Sequence, residues 1–215
     1  MKNTRTILGF CCAVLVGCNI SNGFASDGTC NEWAAIAPLL SDISSPDEQG
    51  LSADFNSLSV SNDGKYLYFY GKTNVNLDEW EKNQEKAGYT VGGHQSISHL
   101  YLDIDNDPKT GSKNKSSLYD YEGYEFEVVV SSGEWSGKPI DLYKVNKLDS
   151  DGTFSSSFDT EVEEKKSSES NPVVARCEQG IEFALLMSTY GLAAGKDIKI
   201  RIVGDKERTV VYTIK

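Results

Sequence analysis

Ser57-Leu58-Ser59-Val60-Ser61-Asn62-Asp63-Gly64-Lys65-Tyr66-Leu67-Tyr68-Phe69 decides the fold. Asp63-Gly64 at its centre supplies the positive-φ positions that a tight hairpin needs. The residues before the turn alternate, with Leu58 and Val60 on one face. Those after it alternate too, with Leu67 and Phe69 on one face and Tyr66, Tyr68 and Tyr70 on the other. A period of two places one apolar row on a core and one Tyr-rich row outside it, the pattern of an antiparallel sheet with one solvated face. The Tyr row could also serve as a binding platform.

Outward from this hairpin, the same pattern recurs. Residues 98–104 alternate through Leu100, Leu102 and Ile104. Further strands are expected at 124–130, 140–145, 173–177, 181–186, 197–203 and 209–214, each bounded by turn-forming residues. Residues 76–88 are charged, with Leu77, Trp80 and Ala87 the apolar exceptions, and read as an exposed helix on a loop. A helical turn is expected within 185–192. Residues 33–40 form a short helix or apolar strap interrupted at Pro38, and the charged, Ser-rich 161–171 is a loop. Many short strands separated by turns, with no repeat and no internal linker, give one domain. The expected fold is an all-β, antiparallel β-sandwich, jelly-roll-like, with short helical insertions.

The strand at 98–104 runs into Asp103-Ile104-Asp105-Asn106-Asp107-Pro108-Lys109-Thr110-Gly111. Calcium takes six to eight hard oxygen ligands. Asp103, Asp105 and Asp107 offer carboxylates, and a turn pinned by Pro108 and Gly111 can aim carbonyls at the same point. The spacing is not that of an EF-hand, which needs Gly at position six and Glu at position twelve. The alternative is a turn that Asp and Asn cap on their own account.

These residues resemble a known family. The opening hairpin looks like that of domains related to family 9 carbohydrate-binding modules and DOMON-like sandwiches. Their acidic turn is matched by His99-Leu100-Tyr101-Leu102-Asp103-Ile104-Asp105-Asn106-Asp107-Pro108-Lys109-Thr110-Gly111. Gly123-Tyr124-Glu125-Phe126, Leu142-Tyr143-Lys144, Glu182-Phe183-Ala184-Leu185 and Tyr190-Gly191-Leu192 resemble later strands and turns of the family. The resemblance covers roughly residues 52–215. It implies a structural calcium near Asp103 and Asp105, adds Glu125 to the candidate ligands, and suggests a carbohydrate ligand. The chain departs from the pattern in a longer insertion at 74–96 and in Leu185-Leu186-Met187 where an apolar-Pro-apolar run is usual.

Residues 1–17 read as an export signal, with Lys2 and Arg5 before an apolar run at 7–16 too short to span a membrane. Two cleavage positions fit. Leu15-Val16-Gly17-Cys18 resembles a bacterial lipobox, which makes Cys18 the lipidated first residue; Gly23-Phe24-Ala25 permits cleavage after Ala25. The first is favoured because it abuts the apolar run. Residues 18–32 then form a tether and 33–215 the sandwich. The expected location is the outer membrane or cell surface, or the periplasm or medium if cleavage follows Ala25.

Cys30 and Cys177 remain beyond the signal as an even pair, and a disulfide between them is expected in an oxidising compartment. No Cys-x-x-Cys or Cys/His cluster points to zinc. The net charge of −11 argues against nucleic acid, because an acidic surface repels phosphate backbones.

Sugar contact requires aromatic faces. Trp135, in the small-residue turn Ser132-Gly133-Glu134-Trp135-Ser136-Gly137, is the first candidate, with Trp80, Tyr119 and Tyr121 beside it. Trp135 folded over the sandwich edge is the competing placement, and Trp33 reads as core. With two His residues and no free thiol expected, nucleophilic catalysis has little to work with, and no carboxylate pair stands out by spacing. The expected function is non-catalytic carbohydrate or glycan binding. The alternative is a structural or adhesion lipoprotein that engages a protein partner. Haem, the other ligand of DOMON-like sandwiches, ranks lower, since only His94, His99 and Met187 could serve as axial ligands.

Overall fold

The computed structural model describes residues 30–45, 52–88, 95–113, 121–132, 134–135, 138–139, 142–148, 152, 154, 174–204 and 206–215. Strands dominate. Among the described residues they form two antiparallel sheets and a two-stranded ribbon, with a single α-helix. One sheet has the order β1-β2-β9-β8, built from Phe55–Asn62, Tyr66–Thr73, Gly180–Leu186 and Val174–Cys177. The other has the order β11-β10-β3-β4-β7, from Arg208–Thr213, Asp197–Val203, Gln95–Asp103, Phe126–Ser132 and Leu142–Lys147. The ribbon pairs β5 (Glu134–Trp135) with β6 (Lys138–Pro139). The architecture is an all-β sandwich and not a closed barrel.

The opening hairpin forms as its sequence requires. Asp63 Oδ1 accepts the N–H groups of Lys65 and Tyr66, while Gly64 takes φ 85°. Leu58, Leu67 and Phe69 are wholly buried, and Phe69 stacks on its cross-strand partner Phe183 at 4.9 Å. Such pairs stabilise a sheet beyond the area they bury. From the second sheet, Leu100, Leu102, Val128, Ile200 and Ile202 close the same core.

The Tyr row is not a wet platform. Tyr68 is buried and donates its hydroxyl to Asp63, and Trp33 stacks on Tyr70 at 5.7 Å. Trp33 belongs to a 3-10 turn (Asn31–Ala35) that begins a strap. The strap exchanges backbone hydrogen bonds with β1 through Leu40 and Leu58, and Ile43 donates to the Asn56 carbonyl. It therefore covers the edge that β1 would otherwise present to another chain. Beyond it, Asp42 reaches Lys206 at 2.7 Å and so contacts the second sheet's end. The expected disulfide joins Cys30 to Cys177, with Cα atoms 6.2 Å apart, and fixes the strap to β8.

Helix α1 (Leu77–Lys86) occupies the insertion. Asn76 caps it by accepting the N–H groups of Asp78 and Glu79, and Asp78 and Glu79 favour its first turn electrostatically. It is not a free surface helix. Leu77 and Trp80 are in the core, and Arg176 of β8 pairs with Asp78 and Glu81. The turn expected within 185–192 begins later, because Leu185 and Leu186 still pair in β9. No helix among the described residues is long and apolar enough to cross a membrane.

Candidate metal centre

Alternation along β3 sends Leu100 and Leu102 to the core and Tyr101 and Asp103 to the opposite face. Asp103 ends the strand with 0 % exposure. Its Oδ1 has no hydrogen-bond donor among the described residues. Its Oδ2 lies 2.7 Å from Lys199 Nζ, an ion pair by distance but outside hydrogen-bonding geometry. A buried carboxylate left this open is costly unless something else satisfies it.

The turn that follows builds the rest of the site. Asp105 Oδ1 accepts the Asp107 N–H, and Asn106 takes a left-handed conformation at φ 54°. Gly111 has φ 68°, and a Cβ there would lie 2.6 Å from the Tyr124 carbonyl oxygen. That closeness lets Ser112 N–H bond the same carbonyl, while Gly123 N–H returns to Ser112. Glu125 N–H then bonds Leu102, and Glu125 swings in beside the turn. The sequence places a strand from Tyr124; the structure starts β4 two residues later, because Tyr124 and Glu125 are committed to this junction.

One carboxylate oxygen from each of Asp103, Asp105 and Glu125 lies within 4.8 Å of the other two. Thr110 Oγ1 sits between Asp105, the Asp107 carbonyl and Glu125, at 2.9–3.2 Å from each. A hydroxyl has one proton, so it satisfies only one of these oxygens at a time. Burial raises the Glu125 carboxyl above the usual range, and the Asp105 and Asp103 charges add to that rise. The Ile104 N–H and Thr110 hydroxyl oppose it. Each ionised pair this close repels by on the order of 3 kcal/mol before solvent screening reduces it. An all-oxygen, carboxylate-rich donor set containing an orphaned buried oxygen fits a hard cation such as calcium.

Asp107 does not join the group. Its Oδ1 accepts the Lys109 N–H and its carbonyl accepts that of Thr110, so it caps its own turn. The second cluster of possible ligands, Cys30, Cys177 and Glu182, offers no thiolate because the cysteines are bonded together.

Two basic residues missed in the sequence complete the surroundings. The register of β10 against β3 puts Lys199 opposite Asp103 and Arg201 opposite Tyr101. Arg201 is 4 % exposed, with its guanidinium 5.5–6.0 Å from the rings of Tyr101, Tyr121 and Tyr124 and its charge paired to Glu207. Tyr101 and His99 both reach Glu127 Oε1 at 2.9 Å. The signal was present in Ile198-Lys199-Ile200-Arg201-Ile202, whose basic residues share one face, but their partners lie on a strand a hundred residues away.

Of the expected sugar-contacting aromatics, Trp80 and Tyr121 have described side chains. Trp80 is 3 % exposed and packs in the core, so its indole is no ligand face. Tyr121 is partly buried, stacked on Tyr101 at 4.4 Å and edge-on to Phe154. Trp135 lies in β5 opposite Lys138, and its side chain, like Tyr119, falls outside the described residues. So do Cys18, both cleavage positions, His94 and residues 161–171. Met187 is core, and the His99 ring reaches Glu127.

Comparison with protein-family models, with curated proteins and with solved structures returned no match.

Proposed function

We propose that this chain is an exported, non-catalytic binding protein whose sandwich is stabilised by calcium held at Asp103, Asp105 and Glu125. The observation that carries this reading is Asp103: a wholly buried carboxylate with a free oxygen, facing two further carboxylates. Bound calcium would supply charge neutralisation and rigidity at the junction of β3 and β4. Asp103 would hold it from the end of a core strand, Asp105 from the turn, and Glu125 from the returning chain. Gly111 and Ser112 would keep those segments in register. The disulfide agrees with export, since such bonds persist in oxidising compartments. Carbohydrate is the proposed ligand class, on the resemblance of the acidic turn to carbohydrate-binding modules. Cys18 is the proposed lipid anchor.

Thermal unfolding with calcium and with chelator tests the reading. Saturating calcium, at a hundred times its Kd, should stabilise the fold by about 2.7 kcal/mol and raise Tm by roughly 5–10 °C. Asp103→Asn should abolish the rise. An unchanged Tm in wild type would remove calcium. Retention of the calcium-loaded protein on immobilised polysaccharide, reduced by Trp135→Ala, would support the sugar ligand. No retention, with capture of a defined surface protein instead, would favour the adhesion alternative.

A further inference from the structure

We infer that Lys199 is a resident counter-cation of the acidic site, holding Asp103 in place without metal and weakening the metal's hold once it enters. This deepens the calcium reading and rests on it.

The register makes the placement a property of the sheets, since Lys199 and Asp103 are direct cross-strand partners on β10 and β3. Lys199 Nζ is 2.7 Å from Oδ2, and no other basic side chain among the described residues is within ion-pair distance of the three carboxylates. Three negative charges therefore face one positive charge, a partial neutralisation that leaves room for a divalent ion. The contact lacks hydrogen-bonding geometry, so it orients Asp103 without sealing it, and Oδ1 stays open. Lys199 also has somewhere to go. Its side chain is 22 % exposed, and Nζ lies 5.1 Å from the centre of the Tyr124 ring, whose face attracts an ammonium. Nζ touches both groups from one position, and its part-exposed, flexible four-carbon stem lets the charge move out toward solvent when a metal ion enters. A metal ion at Asp103 feels the ammonium as a like charge a few ångströms away, and removing that charge must strengthen metal binding.

The experiment is calcium titration by calorimetry, with metal-free Tm measured alongside, on wild type, Lys199→Met and Lys199→Gln. Lys72→Met, at an exposed position late in β2 of the other sheet, controls for net charge. Expected are a calcium affinity at least about tenfold higher in both Lys199 variants, a lower metal-free Tm, and no change in affinity in the control. Calcium binding by the variants but not by wild type would support the inference in its strongest form. Affinities within twofold of wild type in both variants would overturn the role of Lys199 and leave the calcium site standing. No binding by any of the proteins would overturn both. If Lys199→Met fails to fold, Lys199→Gln, which keeps a donor for Asp103, decides between these outcomes.

Discussion

Glu125 is the residue at which the metal-free and metal-loaded proteins should respond oppositely to one substitution. Burial and the neighbouring Asp105 and Asp103 charges raise its carboxyl in the fold. A raised carboxyl favours the protonated folded state. Its contribution is fully present below the unfolded value near 4.3 and is lost as pH climbs through the higher folded value. The metal-free protein should therefore lose stability on going from mildly acidic to neutral pH, and Glu125→Gln should remove that loss. At pH 7 without calcium, the variant should melt roughly 2–4 °C higher, about 1 kcal/mol in a chain of this size after allowance for solvent. With calcium it should melt below wild type, because one of the proposed calcium ligands is gone. Thermal scans at two pH values, with and without metal, check both signs. A variant that melts lower under every condition would make Glu125 a purely structural residue.

At the scale of elements, local chemistry was legible and long-range pairing was not. The first hairpin follows from Asp63-Gly64 and an alternating pattern that needs nothing beyond itself. The acidic turn announces three carboxylates, but only the fold shows which of them converge. Asp107 commits Oδ1 and its carbonyl to the turn, and Glu125 arrives through a backbone junction that spacing alone does not reveal. Trp80 misled for a related reason. An amphipathic helix in a charged insertion gives no sign of what its apolar stripe faces, and here Leu77 and Trp80 face the core. Lys199 and Arg201 were visible as an alternation but not as partners of Asp103 and Tyr101. The junction itself makes a prediction through Gly111. Alanine there would meet both an unfavourable positive φ and the Tyr124 carbonyl. Gly111→Ala should cost about 2–4 kcal/mol, measured by denaturant unfolding, and should weaken calcium binding as well. Unchanged stability would mean that the turn can relax without its glycine.

For the molecule as a whole, the strap and its disulfide bind the first described residues to the last third of the chain. The bond closes a loop of 147 residues. Removing it with Cys30→Ser should cost about 2–5 kcal/mol, read from thermal unfolding with wild type under reducing conditions as the match. Loss of the strap should also uncover the β1 edge, so the variant should self-associate more readily on heating, as light scattering would show. A variant as stable as wild type would mean that the strap's packing and hydrogen bonds, through Trp33, Leu40 and Ile43, hold it without the disulfide.

The same connectivity sets an order of events for a chain delivered from its amino terminus. Cys30 emerges early and has no proper partner until Cys177 follows. Neither sheet can finish before then, because β2 awaits β9 on one side and β3 awaits β10 on the other. The nascent protein must stay unfinished, with a free thiol and two half-built sheets, until nearly all of it has arrived. A chain interrupted before β8 would keep its hairpins and its acidic turn yet possess neither a complete sheet nor the bridge that locks them.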